Sequence, residues 1–283
     1  MAANSTSNLA SRAIWYIESN SRGDLSLESI AEVCGVSPYH LTRCFHILTG
    51  LPLMRYVRRR RLSQAAEKLA AGAPDILQLA LDAGYNSHEA FSRAFKSQFG
   101  KSPEAYRASD EETRSGIMEV AKVETTGQNI AQPRFEIAAA RRFMGIRKRY
   151  DMEDPSGIPD QWQHFVGHLG SISNQVGTST YGLIMNVDPE GTFEYMSAVQ
   201  VREGATAQDG LETVDLEGQR YAVFQHTDHV STIRHTMGWI WNEWLPNSGY
   251  NPPEAPSMEV YGTNFDPITG SGGFEVWIPV TKK

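Results

Sequence analysis

Two stretches near the C-terminus carry acids where strands would set them beside rings. In "SMEVY" (257–261), period-2 alternation puts Glu259 and Tyr261 on one face and Met258 and Val260 on the other. In "FEVWIP" (274–279), Glu275 and Trp277 share a face opposite Phe274, Val276 and Ile278. Paired as a hairpin, the two stretches are expected to bring both carboxylates and both rings to one surface. Trp162, Phe165, Tyr195, Tyr221, Trp241 and Trp244 are candidates for further walls. A carboxylate among aromatic faces suits an amphipathic organic cation, because the ring quadrupoles attract the charge and the ligand neutralises the acid. Glu259 as base and Tyr261 as acid would equally equip a proton transfer. The plain alternative is that the acids face solvent and the rings are core.

A second chemistry is carried by arginines. "LTRCFHILTG" (41–50) returns fifty positions later as "FSRAFKSQFG" (91–100), so that Arg43 answers Arg93, Phe45 answers Phe95 and Gly50 answers Gly100. Between the copies, "YVRRRRL" sets Arg58, Arg59, Arg60 and Arg61 in a row, with Arg55 just ahead. Successive helical residues turn by about 100°, so four in a row form a collar rather than one solvated face, a geometry suited to phosphates.

Helices must position these residues. Ser26 is a candidate N-cap for "LESIAEVC", Gly35 suits a tight turn, and Ser37 caps a second helix with Pro38 at its first position. There Leu41, Cys44, Phe45 and Leu48 form the inward stripe; Tyr39, Thr42, Arg43 and His46 face away. In the second copy Asp75 and Gln78 have capping-box spacing, Gly84 makes the turn and Ser87 caps the next helix. Phe91, Ala94 and Phe95 point inward; Glu89, Ser92, Arg93 and Lys96 point outward. Two helices joined by a short glycine turn, the second presenting a polar face, form a helix-turn-helix, whose second helix fits a DNA major groove. Residues 9–107 read as nearly continuous helix, broken at Gly23, Gly35, Gly50, Gly72, Gly84 and Gly100.

The net charge of −7 conceals an asymmetry. Residues 1–107 hold 13 basic and 9 acidic side chains, net +4, whereas 108–283 hold 13 and 24, net −11. That split predicts two domains with different partners. Residues 108–132 are polar and turn-rich and read as a linker, with "GIMEVAKVE" a candidate short strand or helix. In 133–283 a strand (142–150), a helix (around 159–172) and two strands (181–187, 193–201) are followed by a second such set: 220–227, around 229–245, 257–263 and 273–280. A β-α-β-β unit occurring twice predicts an α+β domain with two helices on a shared sheet.

Residues 9–107 resemble the DNA-binding domain of AraC/XylS-family transcription regulators through "IAEVCGVSPYHLTRCF" and "LALDAGYNSHEAFSRAFKSQFGKSPEAYR". The resemblance implies an all-α domain with two helix-turn-helix motifs bridged by a long helix, reading double-stranded DNA in two successive major-groove segments. Carried over, the base readers are Tyr39, Thr42 and Arg43, then His88, Glu89 and Arg93, with Arg55, Arg58 to Arg61 and Lys96 on phosphates. Residues 133–283 resemble the GyrI-like small-molecule-binding domain through "GQRYAVFQH", "WNEWLPNSGY", "PSMEVYG" and "EVWIPV". This implies a hydrophobic, often cationic effector and points to Glu259 as the ligand-facing acid more directly than to Glu275. Helix-turn-helix first and GyrI-like domain second is the Rob-type order, which implies an activator. Two rival uses of the acidic half are a hydrolase of reactive cyclopropane-containing compounds and a protein-interaction module, touching RNA polymerase, with a vestigial pocket.

Other chemistries find little support. His164 and His168 in "HFVGH" lack the glutamate of a zinc-protease helix, and "HTDHVSTIRH" has no cysteine nearby. No phosphate-binding or dinucleotide glycine pattern appears, so no metal and no cofactor are expected. Cys34 and Cys44 read as interior thiols. With no apolar run of membrane-spanning length and no leader-like start, the expected location is the cytoplasm.

Overall fold

The computed structural model describes residues 9–20, 25–73, 75–110, 114–121, 130–208, 210–267 and 269–283. Gly23 and the end of "GIMEVAKVE" (122–124) lie outside them; 116–121 adopt neither helix nor strand. Among the described residues no helix is long and apolar enough to cross a membrane.

Among the described residues the first half holds seven helices: α1 (Leu9–Ser19), α2 (Leu27–Cys34), α3 (Pro38–Thr49), α4 (Leu53–Ala70), α5 (Ile76–Asp82), α6 (His88–Phe99) and α7 (Pro103–Arg107). Local chemistry sets their ends. The Ser26, Ser37 and Ser87 hydroxyls accept from the N–H groups of Ser29, His40 and Ala90, and the Asp75 carboxylate accepts from Gln78 N–H. Gly50 and Gly100 close α3 and α6 in the left-handed conformation, φ 73° and 72°. α4 shows why an arginine row is not one face. Arg58 and Arg59 point outward, whereas Arg60 is 8% exposed. Its guanidinium grips the Glu18 carboxylate at 2.8 and 2.9 Å and donates to the Met118 carbonyl. Arg60 is therefore a structural cation tying α1 and residue 118 to α4, and its placement among the phosphate contacts is corrected.

The second half forms one antiparallel sheet ordered β1-β6-β9-β8-β3-β4-β2-β5. The strands are β1 (Arg134–Ala138), β2 (Arg141–Asp151), β3 (Gln175–Met185), β4 (Thr192–Val201), β5 (Glu212–Leu216), β6 (Gln219–His226), β8 (Ser257–Tyr261) and β9 (Phe274–Pro279). A small ribbon pairs β7 (Tyr250–Asn251) with β10 (Thr281–Lys282). The duplication is visible in the order: β2, β3 and β4 form one half, β6, β8 and β9 the other, and β3 meets β8 at the centre. Helix α8 (Ile158–Val166) belongs to the first half. In the second, α9 (Ile233–Trp239) runs through a π-helical turn (Ile240–Trp244) into α10 (Leu245–Asn247). The flanking strands β1 and β5 and the β7–β10 ribbon were not anticipated; they are short and carry no strong alternation.

Helices α1 to α3 and the start of α4 share one buried cluster with α9, the π turn and strands β6, β8 and β9. The second helix-turn-helix keeps a separate core around Phe91, Phe95, Phe99 and Tyr106. The first motif is thus packed onto the sheet domain, and the second is not.

Candidate functional site

Glu259 stands on β8 with Gly182 of β3 directly opposite, and Tyr195 of β4 on the same face. Its Oε2 accepts from Tyr195 Oη at 2.7 Å and from Tyr261 Oη at 3.0 Å. Trp162 Nε1 donates to Tyr195 Oη at 3.0 Å, and the Trp162 ring meets Tyr261 edge-on at 5.3 Å. Trp162 is held there by its neighbour Gln161, fully buried, whose amide donates to the Ile146 and Tyr195 carbonyls while Tyr150 Oη donates to it. Gly182 lies directly beneath this cluster. A Cβ at this position would overlap Tyr195 Oη and stand 2.6 Å from Glu259 Oε2, so only glycine lets the acid and the phenol meet.

Burial raises the Glu259 pKa above the ordinary carboxylate range, opposed by the two phenol bonds and by the nearby Arg43 charge. Burial likewise pushes both tyrosines well above theirs. The result is an acid that gives up its proton less readily than an ordinary carboxyl, walled by three aromatic residues.

The other ring candidates lie elsewhere. The hairpin register pairs Glu259 with Val276 and Met258 with Trp277, so Glu275 and Trp277 point from the opposite face of the sheet. The expectation that both acids share a surface is corrected; a one-residue difference in register exchanges the faces. Glu275 there binds Arg134 at 2.8 Å and accepts from Trp277 Nε1, with Tyr221 beside that ring. Phe165 is completely buried beneath Trp162. Trp244 lines a separate cleft of about 500 Å³ with Phe135, Trp239 and Tyr250, remote from Glu259. The paired histidines do structural work: His226 bonds Thr236 Oγ1 and the His229 carbonyl.

Trp241 faces α3, where the polar residues expected to point at solvent are covered. Thr42 is 3% and Arg43 5% exposed. The Arg43 guanidinium lies 5.3 Å from the Trp241 ring centre and donates to Ser257 Oγ at 3.2 Å. Ser257 precedes Glu259 by two residues on the same strand face. Tyr39 Oη donates to the Ala255 carbonyl at 3.3 Å, and its ring meets Trp241 edge-on.

The arginine collar is engaged too. Arg55 makes a two-pronged pair with Asp151 at 2.8 and 3.0 Å and reaches Glu153 at 3.1 Å. Arg58 pairs with Glu190, and Arg59 with Glu153 at 3.1 Å. Gly191 lets the turn after β3 approach α4: a Cβ there would overlap the Pro52 ring. Arg61 lies against Gly84 within the helical domain. Carboxylates thus stand on Arg55, Arg58 and Arg59, the positions the resemblance gives to phosphates. On α6, by contrast, Glu89, Arg93 and Lys96 are exposed, and His88 is part-exposed, 3.4 Å from Glu104.

Docking has a pH sign. Burial lowers the pKa of His40 to about 4, and burial followed by the Arg234 charge lowers that of His46 to about 4. The bonds to Arg55 and Arg58 hold Asp151 and Glu190 below the usual carboxylate range. All four groups bind protons more weakly in this packed arrangement, so acidification is expected to loosen it. The histidines act between about pH 6.5 and 4, the carboxylates only below the normal carboxylate range. As pH falls below about 6.5, protonation of these histidines should shift the equilibrium toward opening. An unchanged radius of gyration by small-angle scattering between pH 7.5 and 5.5 would contradict this.

Gln161, Gly182, Ser257, Asp151, Glu153 and Glu190 were missed by sequence reasoning. Only the spacing of Asp151 and Glu153 after a basic strand offered any local signal.

Comparison with known proteins supplies a context. A model of the GyrI-like small molecule binding domain matches residues 131–281, and one of the helix-turn-helix domain matches 30–109. The chain is 41% identical over 261 residues to the right origin-binding protein of Escherichia coli (strain K12), covering 88% of each. It is 27% identical over 270 residues to the transcriptional regulator Rob of Salmonella typhimurium, covering 91% of each. It is 38% identical over 104 residues to the HTH-type transcriptional activator AarP of Providencia stuartii, covering 37% of this chain and 77% of AarP.

Proposed function

This chain belongs to the family of AraC-type helix-turn-helix transcription regulators that carry a GyrI-like domain, and on that premise we propose that it activates transcription under control of a hydrophobic organic cation bound against Glu259. The observation that carries the reading is the Glu259–Tyr195–Tyr261 cluster on its glycine floor. An acid raised by burial and faced by electron-rich rings gains when a desolvated cation arrives, and a neutral ligand gives no such return. DNA reading falls to Tyr39, Thr42 and Arg43 on α3 and to His88, Glu89 and Arg93 on α6, with Arg55, Arg58, Arg59, Arg61 and Lys96 on phosphates. The activator role is supported by the likeness of the helical half to AarP, and it implies action in the cytoplasm with RNA polymerase as partner.

Calorimetric titration of the full chain with benzyltrimethylammonium and with its neutral isostere neopentylbenzene tests the site. The cation should bind saturably, and Glu259→Gln should weaken it by roughly 30-fold or more, the loss typical of removing one partner of a buried charge pair. Equal binding of both probes, indifferent to Glu259→Gln, would overturn the cation reading. Steady consumption of a cyclopropane-containing compound that depends on Glu259 would favour the hydrolase instead.

A further inference from the structure

The cation recess and the first reading helix meet at one side chain. Arg43 Nη2 donates to Ser257 Oγ, on the same face of β8 as Glu259, and its guanidinium lies over Trp241. Arg43 is also the cation whose charge acts on Glu259. A planar, delocalised cation on an aromatic face, hydrogen-bonded beside a buried acid, is the arrangement an organic-cation ligand would adopt.

We propose that Arg43 is a resident pseudo-ligand of the effector recess: an organic cation displaces its guanidinium from Trp241 and Ser257, freeing α3 to read DNA. The inference rests on the proposed cation site and adds its regulation. Effector and DNA then bind with positive coupling, because both require Arg43 to leave the recess, and linkage makes the coupling reciprocal.

The junction is built to open. Arg43 Nε, Trp241 Nε1, His46 Nδ1 and Asn242 Oδ1 are buried without a hydrogen-bond partner among the described residues, and all four lie on α3 or on the helical run facing it. Unpaired buried polar atoms tax the docked state and not the open one. Against that tax stand the Trp241 packing, the Tyr39 bond to Ala255 and the collar pairs. A docked state weakened in this way is one that a ligand of modest differential affinity can exchange for an open one. The α6 face does not meet the recess, so DNA contact through α6 is available in both.

Two measurements on the full chain test this, with benzyltrimethylammonium as probe. First, amide hydrogen exchange of the wild type needs no variant: saturating probe should increase exchange across residues 38–49 and leave 88–99 unchanged. Second, Arg43→Ala should bind the probe about tenfold tighter than wild type if the open form is on the order of one molecule in ten. Probe binding that depends on Glu259, with unchanged exchange in α3 and equal affinity for Arg43→Ala, overturns the pseudo-ligand and leaves the cation site standing. Failure of the probe to bind either protein overturns the cation site and this inference with it. Binding to Arg43→Ala alone supports the inference, since the resident cation then outcompetes the probe.

Discussion

Neutralising Asp151, Glu153 and Glu190 together, as Asp151→Asn, Glu153→Gln and Glu190→Gln, should raise the affinity of the full chain for mixed-sequence duplex DNA about tenfold at low salt. These three acids hold Arg55, Arg58 and Arg59 in the docked arrangement. Their side chains are 24–55% exposed, so each contributes only about 0.5–1 kcal/mol, and the three sum to about 1.5–3 kcal/mol, at least about tenfold in the docking equilibrium. The substitutions leave every proposed DNA-contacting residue intact. Removing three negative charges also favours DNA generally, so the matched control is Glu203→Gln, Glu217→Gln and Glu254→Gln, whose acids are exposed and touch none of these arginines. An equal gain from the control would mean that the carboxylates are not competing with phosphates. The gain should shrink as salt rises, because screening weakens the interdomain pairs and the DNA contacts alike.

Gly182→Ala should lower the affinity for benzyltrimethylammonium about 30-fold, as far as losing the Glu259 charge does, while leaving a folded protein. Gly182 is not in the left-handed backbone region, so alanine fits the strand; the conflict is confined to what its Cβ meets. It would overlap Tyr195 Oη, and Tyr195 is 3% exposed with little room to yield. The phenol and the Glu259 carboxylate would be driven apart, breaking the 2.7 Å bond that fixes the acid. Overpacking of this kind costs on the order of 1–3 kcal/mol of stability, within reach of a domain of this size. Calorimetric binding and a thermal melt on the same sample separate the two effects. Undiminished affinity in a folded variant would show that the cation does not use this floor.

The helical half was legible because its signals are local. Ser26, Ser37, Ser87 and Asp75 each act on an N–H three residues ahead, and Gly50 and Gly100 act at the helix ends they close. The repeat of Arg43 by Arg93 and of Phe45 by Phe95 was written in the chain, as were the charge division and the duplicated strand–helix pattern. Glu259 and Tyr261 were placed on one face by alternation within a single strand, which needs no partner.

What failed to show depended on pairing across distance. Alternation says which residues of a strand share a face, but the register of β8 against β9 decides which face of its neighbour they join; it sent Glu275 and Trp277 to the other side. Gly182 has meaning only because β3 lies between β4 and β8, bringing Tyr195 and Glu259 together above it. The 100° rotation of α4 predicted that its arginines diverge, yet only the packing of α1 chose Arg60 as the one turned inward. The burial of Arg43 against Trp241 and Ser257 joins residues some two hundred positions apart. A polar helix face reads the same in sequence whether water, phosphate or carboxylate covers it, since each satisfies the same charge; the tertiary structure alone decided that α3 faces the GyrI-like half.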